Sequence, residues 1–223
     1  MPWVVKALRQ GSKTVVRSKS SDRWLKEHVS DRHVQQAQTD GYRSRAVYKL
    51  IELDEKDQLI KPSSIIVELG AAPGGWTQYI ASKIGPEGKI IASDILPMDS
   101  VAGSADAMIF ILGDFTEQSV ADAIEAEVGE SGADLVLSDM APNLSGVASS
   151  DQARAMGLVE MALDTASRVL NPKGAFVAKV FQGEGFDPFV RELRSQFQQV
   201  KIRKPDASRS RSREVYVVAR NLI

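Results

Sequence analysis

The sequence predicts an α/β fold in which helices cover both faces of a mostly parallel, doubly wound, Rossmann-like sheet. Apolar, β-branched runs alternate with helical segments along most of the chain. These runs are almost continuously apolar, which is typical of strands that are buried on both faces. With 223 residues the chain can bury one sizeable core, and a second large domain would be crowded.

The N-terminal part divides into an arm and a helical region. Residues 1–30 are basic and Ser-rich without periodicity, and they predict a flexible arm. Residues 31–60 have helical spacing on both sides of Gly41. The apolar stripe of this region consists of Ala46, Val47, Leu50, Ile51 and Leu53. We therefore predict one folded domain over residues 31–223.

Strands and helices alternate in the rest of the chain. The predicted strands cover residues 63–69, 88–94, 107–114, 133–139 and 174–181. The predicted helices between them cover residues 75–84, 117–128, 151–170 and 186–197. Residues 199–204 and 213–220 are predicted to form a closing hairpin, because each is a short run with strand composition.

The turn "VELGAAPGGW" (residues 67–76) joins the first of these strands to its helix and indicates a ligand. A mononucleotide phosphate loop needs a lysine after its last glycine, but Trp76 follows Gly75. A dinucleotide turn needs the spacing G-x-G-x-x-G, and here Ala72 and Pro73 interrupt it. Proline also lacks the N–H that would bind a phosphate. The turn therefore favours a ligand without phosphates, such as S-adenosylmethionine.

Three predicted strands end on an aspartate, at Asp94, Asp114 and Asp139. In such a sheet, ligands bind outside the carboxyl ends of the strands, where these carboxylates would meet. Asp94 lies twenty residues beyond Gly74, at the position of a ribose acceptor, and Asp114 can reach an adenine amino group. The alternative is that the glycines form a tight turn and the aspartates cap helices. The ordered set favours S-adenosylmethionine.

The formal net charge of −1 hides a strong asymmetry. Residues 1–50 carry a charge of +7, residues 51–200 a charge of −13 and residues 201–223 a charge of +5. A single basic end is usually a solvated terminus, but two basic ends around an acidic centre indicate a polyanionic partner. The clusters of Arg and Ser at both ends point to nucleic acid.

Composition excludes several other classes of protein. The chain has no cysteine, which removes disulfides, thiolate zinc sites and cysteine nucleophiles. Its two histidines, His28 and His33, have no carboxylate cluster beside them, so we predict no metal site. No apolar run approaches the roughly 20 residues that span a bilayer, and no signal peptide is evident. We therefore expect a cytoplasmic protein without a membrane partner.

Several motifs together resemble one family. They are "ELGAAPGGW", "DILPMD", "GDF", "SDMAPNLSG", "KVFQGEGFD" and "IRKPDASRSRSREVYVVA". The resemblance is to the FtsJ (RrmJ) family of S-adenosylmethionine-dependent ribosomal RNA 2′-O-ribose methyltransferases, and it runs from about Arg23 to Ala219. It implies a methyltransferase fold of seven strands whose last strand is antiparallel.

The resemblance also implies a catalytic tetrad, and all four positions are present as Lys49, Asp139, Lys179 and Glu214. Lys179 interrupts an apolar strand and is the candidate proton acceptor for the ribose hydroxyl. Because a lysine is ordinarily protonated at neutral pH, its alternative role is to stabilise the developing oxyanion. The cofactor contacts implied by the family are Gly74, Trp76, Asp94, Asp114 and Asp139.

The same resemblance implies an RNA substrate. For members of the bacterial type this is a uridine in the A loop of 23S rRNA, methylated in the assembled large ribosomal subunit, whereas relatives modify tRNA or mRNA caps. We expect RNA phosphates to be bound by basic residues, since such contacts dominate affinity for nucleic acids. The candidates are Lys13, Arg17, Arg23, Arg32, Arg43, Arg45, Arg209, Arg211 and Arg213. Nothing in the sequence requires more than a monomer.

Two other functions are compatible with parts of the pattern. A nicotinamide-dependent oxidoreductase would share the sheet and the aspartate after the second strand, but Ala72 and Pro73 argue against its pyrophosphate turn. A non-catalytic RNA-binding assembly factor would share the basic ends. Such a protein would have no evident use for Lys49 and Lys179 in an intact tetrad.

Overall fold

A seven-stranded sheet runs through the computed structural model, which describes residues 31–101, 103, 107–143 and 145–223. The arm predicted at residues 1–30 lies outside the described residues. The helices are α1 (Arg32–Thr39), α2 (Val47–Asp57), α3 (Gly75–Ile84), α4 (Gln118–Val128), α5 (Ala148–Val169) and α6 (Phe186–Gln196). The strands are β1 (Ile65–Leu69), β2 (Lys89–Asp94), β3 (Met108–Leu112), β4 (Ala133–Ser138), β5 (Leu170–Phe181), β6 (Phe197–Arg203) and β7 (Glu214–Leu222).

The strand order is β3-β2-β1-β4-β5-β7-β6. The pairs among the first five strands are parallel, and β7 runs antiparallel to both β5 and β6. The chain therefore starts at the centre with β1, winds outward through β2 and β3, and returns to β4 to build the other half. The closing hairpin of β6 and β7 inserts its last strand beside β5, as the sequence predicts.

Two apolar layers cover the sheet because successive strand residues point to opposite faces. Val67 packs with α4, α5 and α6, whereas its neighbour Ile66 packs with α2 and α3, and both side chains are fully buried. The near-continuous apolar strands of the sequence thus serve both layers. Helices α2 to α6 each pack an apolar stripe against one face of the sheet.

From residue 63 onward, two elements begin three or more residues away from their predicted starts, and the other boundaries differ by at most two residues. Helix α5 begins at Ala148, three residues before the predicted start. The prediction missed this first turn because Ala148 and the two serines that follow carry no apolar periodicity. Strand β5 begins at Leu170 rather than 174. The sequence there reads as a turn around Pro172, but Leu170 pairs with Ala133 before an irregularity in the register.

The two edges of the sheet have different chemical character. Strand β6 carries Lys201 and Arg203, whose side chains bind the fully buried carboxylate of Asp57 at the end of α2, Arg203 through two hydrogen bonds of 2.7 and 2.9 Å. Strand β3 reads "MIFIL", is only partly buried, and leaves Leu112 58% exposed. One edge is therefore charged and tied to a helix, whereas the other is apolar.

Candidate active site

The glycine turn between β1 and α3 is held against the end of β2. The N–H groups of Gly70 and Ala71 donate to the carbonyl of Ser93 at 2.9 and 3.1 Å, and Ala72 N–H donates to Asp94 Oδ2 at 2.8 Å. Gly70 has a φ of 80°, and a Cβ there would lie 2.4 Å from Met140 Cγ. Glycine is therefore required at this position both by the backbone conformation and by the close approach of Met140, in the loop after β4.

Asp94 and Asp114 each stabilise a loop and also face a cavity. Asp94 Oδ1 accepts the N–H of Leu96 at 2.8 Å, so its carboxylate bridges the glycine turn and the loop after β2. Asp114 Oδ1 accepts the N–H of Thr116 at 3.0 Å. Neither aspartate is the N-cap residue of a described helix, although helix capping was the alternative explanation for strand-end aspartates.

A cavity of about 740 Å³ opens at the carboxyl edge of the sheet. All three predicted strand-end aspartates, Asp94, Asp114 and Asp139, line it. Its apolar lining comes from loops and from α5, namely Ile95, Leu96, Phe115, Met140, Leu158 and Met161. This combination of carboxylates and apolar walls is suited to a ligand that carries a ribose and a planar base.

Lys179 and Asp139 form an ion pair at the border of this cavity. Lys179 Nζ lies 3.1 Å from Asp139 Oδ1 and donates to the backbone carbonyl of Asp139 at 2.6 Å. The lysine side chain is only 8% exposed. Strands β4 and β5 are parallel neighbours, so the pair results from two strands that end side by side.

Lys49 and Glu214 form a second ion pair next to the first. Lys49 Nζ, on α2, lies 2.8 Å from Glu214 Oε1 at the start of β7, and each side chain is 12% exposed. The structure thus brings all four tetrad positions together as two pairs. Helix α2 supplies Lys49 because its apolar stripe packs on the sheet and directs this residue towards the strand ends.

Tyr216 links the two pairs, and sequence reasoning missed it. Its hydroxyl donates to Asp139 Oδ1 at 2.5 Å, and its ring centroid lies 5.8 Å from Lys49 Nζ. Burial, together with the charge of Asp139, raises the pKa of Tyr216 well above its ordinary value. The residue is hidden in the apolar run of β7, where a tyrosine looks like ordinary core packing.

Asp139 remains a carboxylate in this environment. Burial alone would raise the pKa of Asp139, but the charges of Lys179 and Lys49 and the hydrogen bond from Tyr216 outweigh it and hold the pKa below its ordinary value. The centre of the cluster is therefore a partly buried negative charge between two amines, with a neutral phenol as its third partner.

Glu68 is a second buried acid that the sequence did not reveal. It lies in β1, is 2% exposed, and accepts a hydrogen bond from the hydroxyl of Thr77 at 2.7 Å. Burial raises the pKa of Glu68 to about 8, and the nearby charges of Asp139 and Asp94 act in the same direction. Glu68 is therefore mostly protonated at neutral pH beneath the cavity.

Two predicted cofactor contacts, Gly74 and Trp76, do not line the cavity in the described part of the chain. Trp76 is buried between α3 and α2, where its indole N–H donates to the carbonyl of Ala46 at 2.8 Å. Gly74 has a φ of 100° and precedes α3, with Met98 and Arg43 against it. Trp76 is directed to the apolar layer by the first turn of α3, whereas the cavity wall is formed by Gly70 and Ala72.

The arginines predicted to bind RNA fall into different environments. Arg43 donates to the carbonyls of Asp99 and Ser100 at 2.7 and 2.6 Å, and it therefore braces the loop after β2. Arg45 contacts Asp31 and the carbonyl of Ala207, and Arg209 lies 3.7 Å from Asp31. Exposed guanidinium groups are found at Arg32, Arg211 and Arg213. Lys13, Arg17 and Arg23 lie outside the described residues.

Among the described residues, no group of three or more His, Cys, Asp or Glu side chains is arranged to hold a metal ion. Within the same part of the chain, no helix combines the length and apolar character needed to cross a membrane.

The sequence was compared with known families and proteins. The model of a family described as FtsJ-like methyltransferase matches residues 42–222. A relative from Marinobacter nauticus, named "Ribosomal RNA large subunit methyltransferase E", is 60% identical over 206 residues, which cover 92% of this chain and 98% of that protein. These matches confirm the resemblance that the motifs indicate.

Solved structures with the same fold are also found. A structure described as a ribosomal RNA methyltransferase from Plasmodium falciparum has a TM-score of 0.71 at 29% identity, and the match covers 81% of this chain and 98% of that one. A methyltransferase from Streptococcus mutans in complex with SAH has a TM-score of 0.51 at 16% identity, covering 77% and 97%. The predicted fold class is thereby confirmed.

Proposed function

Because the chain belongs to the FtsJ-like methyltransferase family, we propose that it methylates the ribose 2′-hydroxyl of a uridine in the A loop of 23S rRNA, within the assembled large subunit. The observation that carries this proposal is the juxtaposition of the Lys179–Asp139 and Lys49–Glu214 pairs at the border of a cavity lined by Asp94 and Asp114. Relatives named for large-subunit rRNA methylation support the substrate.

The cavity fits S-adenosylmethionine, the methyl donor of this family. Its volume of about 740 Å³ lies within the usual range of small-molecule sites. Asp94 and Asp114 would accept hydrogen bonds from ribose hydroxyls and from the adenine amino group, while Ile95, Leu96 and Phe115 would contact the base. The bound donor supplies a methyl group on a sulfonium sulfur, which is activated for displacement by a nucleophile.

Lys179 would act on the nucleophile. An ammonium group has three N–H donors, and Lys179 uses two of them for the carboxylate and the carbonyl of Asp139. The third remains to bind the attacking 2′-oxygen and to stabilise the negative charge that develops on it. The two contacts with Asp139 fix the position of the amine, and this geometry supports an electrostatic role for Lys179 in methyl transfer.

Lys49 and Glu214 would support the same step from the other side. Lys49 Nζ is fixed by Glu214 and lies over the ring of Tyr216, so its charge is directed towards Asp139. Methyl transfer is an in-line displacement that gains most from alignment of its reactants. The two ion pairs hold both amines at defined positions, and the proton of the hydroxyl would leave to water.

The basic ends of the chain would hold the ribosomal RNA. Residues 201–223 carry a charge of +5, and Arg211 and Arg213 are exposed in the segment that leads to Glu214. An RNA backbone bound to these arginines would lie close to the tetrad, because the segment that carries them leads directly to Glu214. We propose a single catalytic domain over residues 31–223 that acts as a monomer in the cytoplasm, on the large ribosomal subunit.

Mass analysis of 23S rRNA tests this function. Large subunits from cells that lack the protein should be short of one 2′-O-methyl group on an A-loop uridine, and the purified protein with S-adenosylmethionine should restore it. Naked rRNA in parallel would show whether the particle is required. If the added protein corrected the assembly of these subunits without adding a methyl group, the result would instead favour a non-catalytic assembly factor.

A further inference from the structure

The segment 204–213 between β6 and β7 is fixed to helix α2, although its sequence "KPDASRSRSR" looks like a mobile loop. The carboxylate of Glu52 accepts the N–H of Asp206 at 2.6 Å and that of Ala207 at 2.8 Å, one on each oxygen. Ala207 is 1% exposed, and its carbonyl accepts a hydrogen bond from Arg45. Two backbone groups on one buried residue are thus satisfied by side chains of the region around α2.

The same segment reaches the tetrad through Ser208. The hydroxyl of Ser208, which is 6% exposed, donates to Glu214 Oε1 at 2.8 Å. That oxygen is also the one that lies 2.8 Å from Lys49 Nζ. Glu214 Oε1 therefore accepts from the serine and from the amine together, and the position of the serine determines where this acceptor can lie.

Lys49 and Glu52 lie three residues apart on one face of α2. The contacts consequently form a closed ring that runs from Glu52 through Ala207 and Ser208 to Glu214, and back to α2 through Lys49. A ring of short hydrogen bonds fixes its members more firmly than separate contacts would. Neither Glu52 nor Ser208 is one of the four tetrad positions.

We infer that Glu52 and Ser208 are positioning residues for methyl transfer. They fix Glu214, and through it the amine of Lys49, while the same segment presents Arg211 and Arg213 to the RNA. This inference rests on the proposed function. It predicts that loosening the segment lowers the rate of the chemical step without weakening the binding of S-adenosylmethionine or of RNA.

Steady-state kinetics of five variants test the inference. Ser208→Ala and Glu52→Gln should lower kcat by about fivefold or more, with the KM for rRNA and the Kd for S-adenosylmethionine within about twofold of wild type. Ser210→Ala, on the same segment, and Glu55→Gln, on the same helix, are matched controls at exposed positions and should leave kcat unchanged. Ser208→Thr keeps the hydroxyl and should restore most of the rate.

A structural measurement accompanies the kinetics. Glu52→Gln should speed hydrogen exchange at the amides of Asp206 and Ala207, and Ser208→Ala should leave those two amides protected. Because both residues act through Glu214, the double variant should lose less activity than the product of the two single effects. If Glu52→Gln proves poorly folded, the kinetics of Ser208→Ala and Ser208→Thr still test the positioning role.

The outcomes separate this inference from the proposed function. Wild-type protein that transfers no methyl group to rRNA would overturn the proposed function, while the exchange measurement would still report on the Glu52 contact. The positioning role would be overturned if the wild-type protein is active and Ser208→Ala keeps kcat within about twofold or changes only KM. That result would leave the proposed function intact.

Discussion

Replacement of Lys179 by alanine is expected to abolish methyl transfer while both substrates still bind. The change removes the amine that lies 3.1 Å from Asp139 Oδ1 and 2.6 Å from its carbonyl. If that amine acts on the 2′-oxygen only in the transition state, its loss lowers turnover and leaves the dissociation constants unchanged. The carboxylates proposed to bind the cofactor, Asp94 at the end of β2 and Asp114 after β3, lie on other parts of the cavity wall.

The size of the effect follows from the contacts. Removal of one charged donor from a developing oxyanion typically costs a factor of about 10²–10³ in kcat, or about 3–4 kcal/mol. The variant also leaves the buried Asp139 without its closest amine, and the lost charged hydrogen bond should lower the free energy of unfolding by about 2–3 kcal/mol. Tyr216 and Lys49 remain as partners and limit the loss.

Single-turnover transfer of a labelled methyl group to large ribosomal subunits measures the rate. Calorimetry gives the affinity for S-adenosylmethionine, and filter binding at fixed salt gives the affinity for RNA. Lys173→Ala is the matched control, because Lys173 lies on the same strand at the opposite end of the sheet and is exposed. It should behave as wild type in all three measurements.

Lys179→Arg distinguishes the two possible roles of the amine. A guanidinium keeps the charge but stays protonated at any accessible pH, so an electrostatic role predicts measurable turnover, about tenfold to a hundredfold below wild type. The absence of any transfer by a folded arginine variant would instead favour a proton acceptor. Turnover of the alanine variant within about threefold of wild type would refute the assignment of Lys179 altogether.

Three further predictions concern the cofactor, the RNA and the buried acid. Asp94→Ala should weaken S-adenosylmethionine binding by about 1.5–3 kcal/mol, and unchanged affinity by calorimetry in a folded variant would contradict the ribose contact. Joint replacement of Arg209, Arg211 and Arg213 by glutamine should flatten the salt dependence of RNA binding and spare the cofactor, whereas an unaltered slope would place the phosphates elsewhere. Glu68 has its pKa raised from 4.5 to about 8, so the folded protein binds a proton that the unfolded chain releases, and stability falls as pH rises from about 4.5 to 8. Glu68→Gln should remove most of this fall, at most about 5 kcal/mol, and equal pH slopes for both proteins in denaturant titrations would refute it.

Local sequence patterns predict much of the fold. Helix α3 begins and ends at the residues predicted, because its apolar spacing lies between glycines that limit it on both sides. The start of α5 was missed because Ala148 and its neighbours have no periodicity, and the loop before the helix is organised by Asp151, which accepts the N–H groups of Ser145 and Gly146. A carboxylate one turn into a helix gives no signal that distinguishes it from a solvated charge.

The site was predictable where one residue breaks a pattern. Lys179 interrupts an apolar strand, and this irregularity is visible in the sequence. Tyr216 and Glu68 agree with their surroundings, the first as a large side chain in a core strand and the second as one acid beside a glycine turn. Glu52 was also hidden, because its partners at Asp206 and Ala207 are more than 150 residues away in the chain and meet it only after the sheet has formed.

The unequal edges of the sheet determine how this protein behaves in concentrated solution. An unpaired strand offers hydrogen-bonding groups to any other chain, and charged side chains are the usual protection against such pairing. Lys201 and Arg203 provide that protection at β6, whereas β3 consists of five apolar residues and ends on the exposed Leu112. Within the described residues, self-association and the first steps of aggregation should therefore start around the exposed Leu112 at the end of β3, on the flank of the sheet opposite β6.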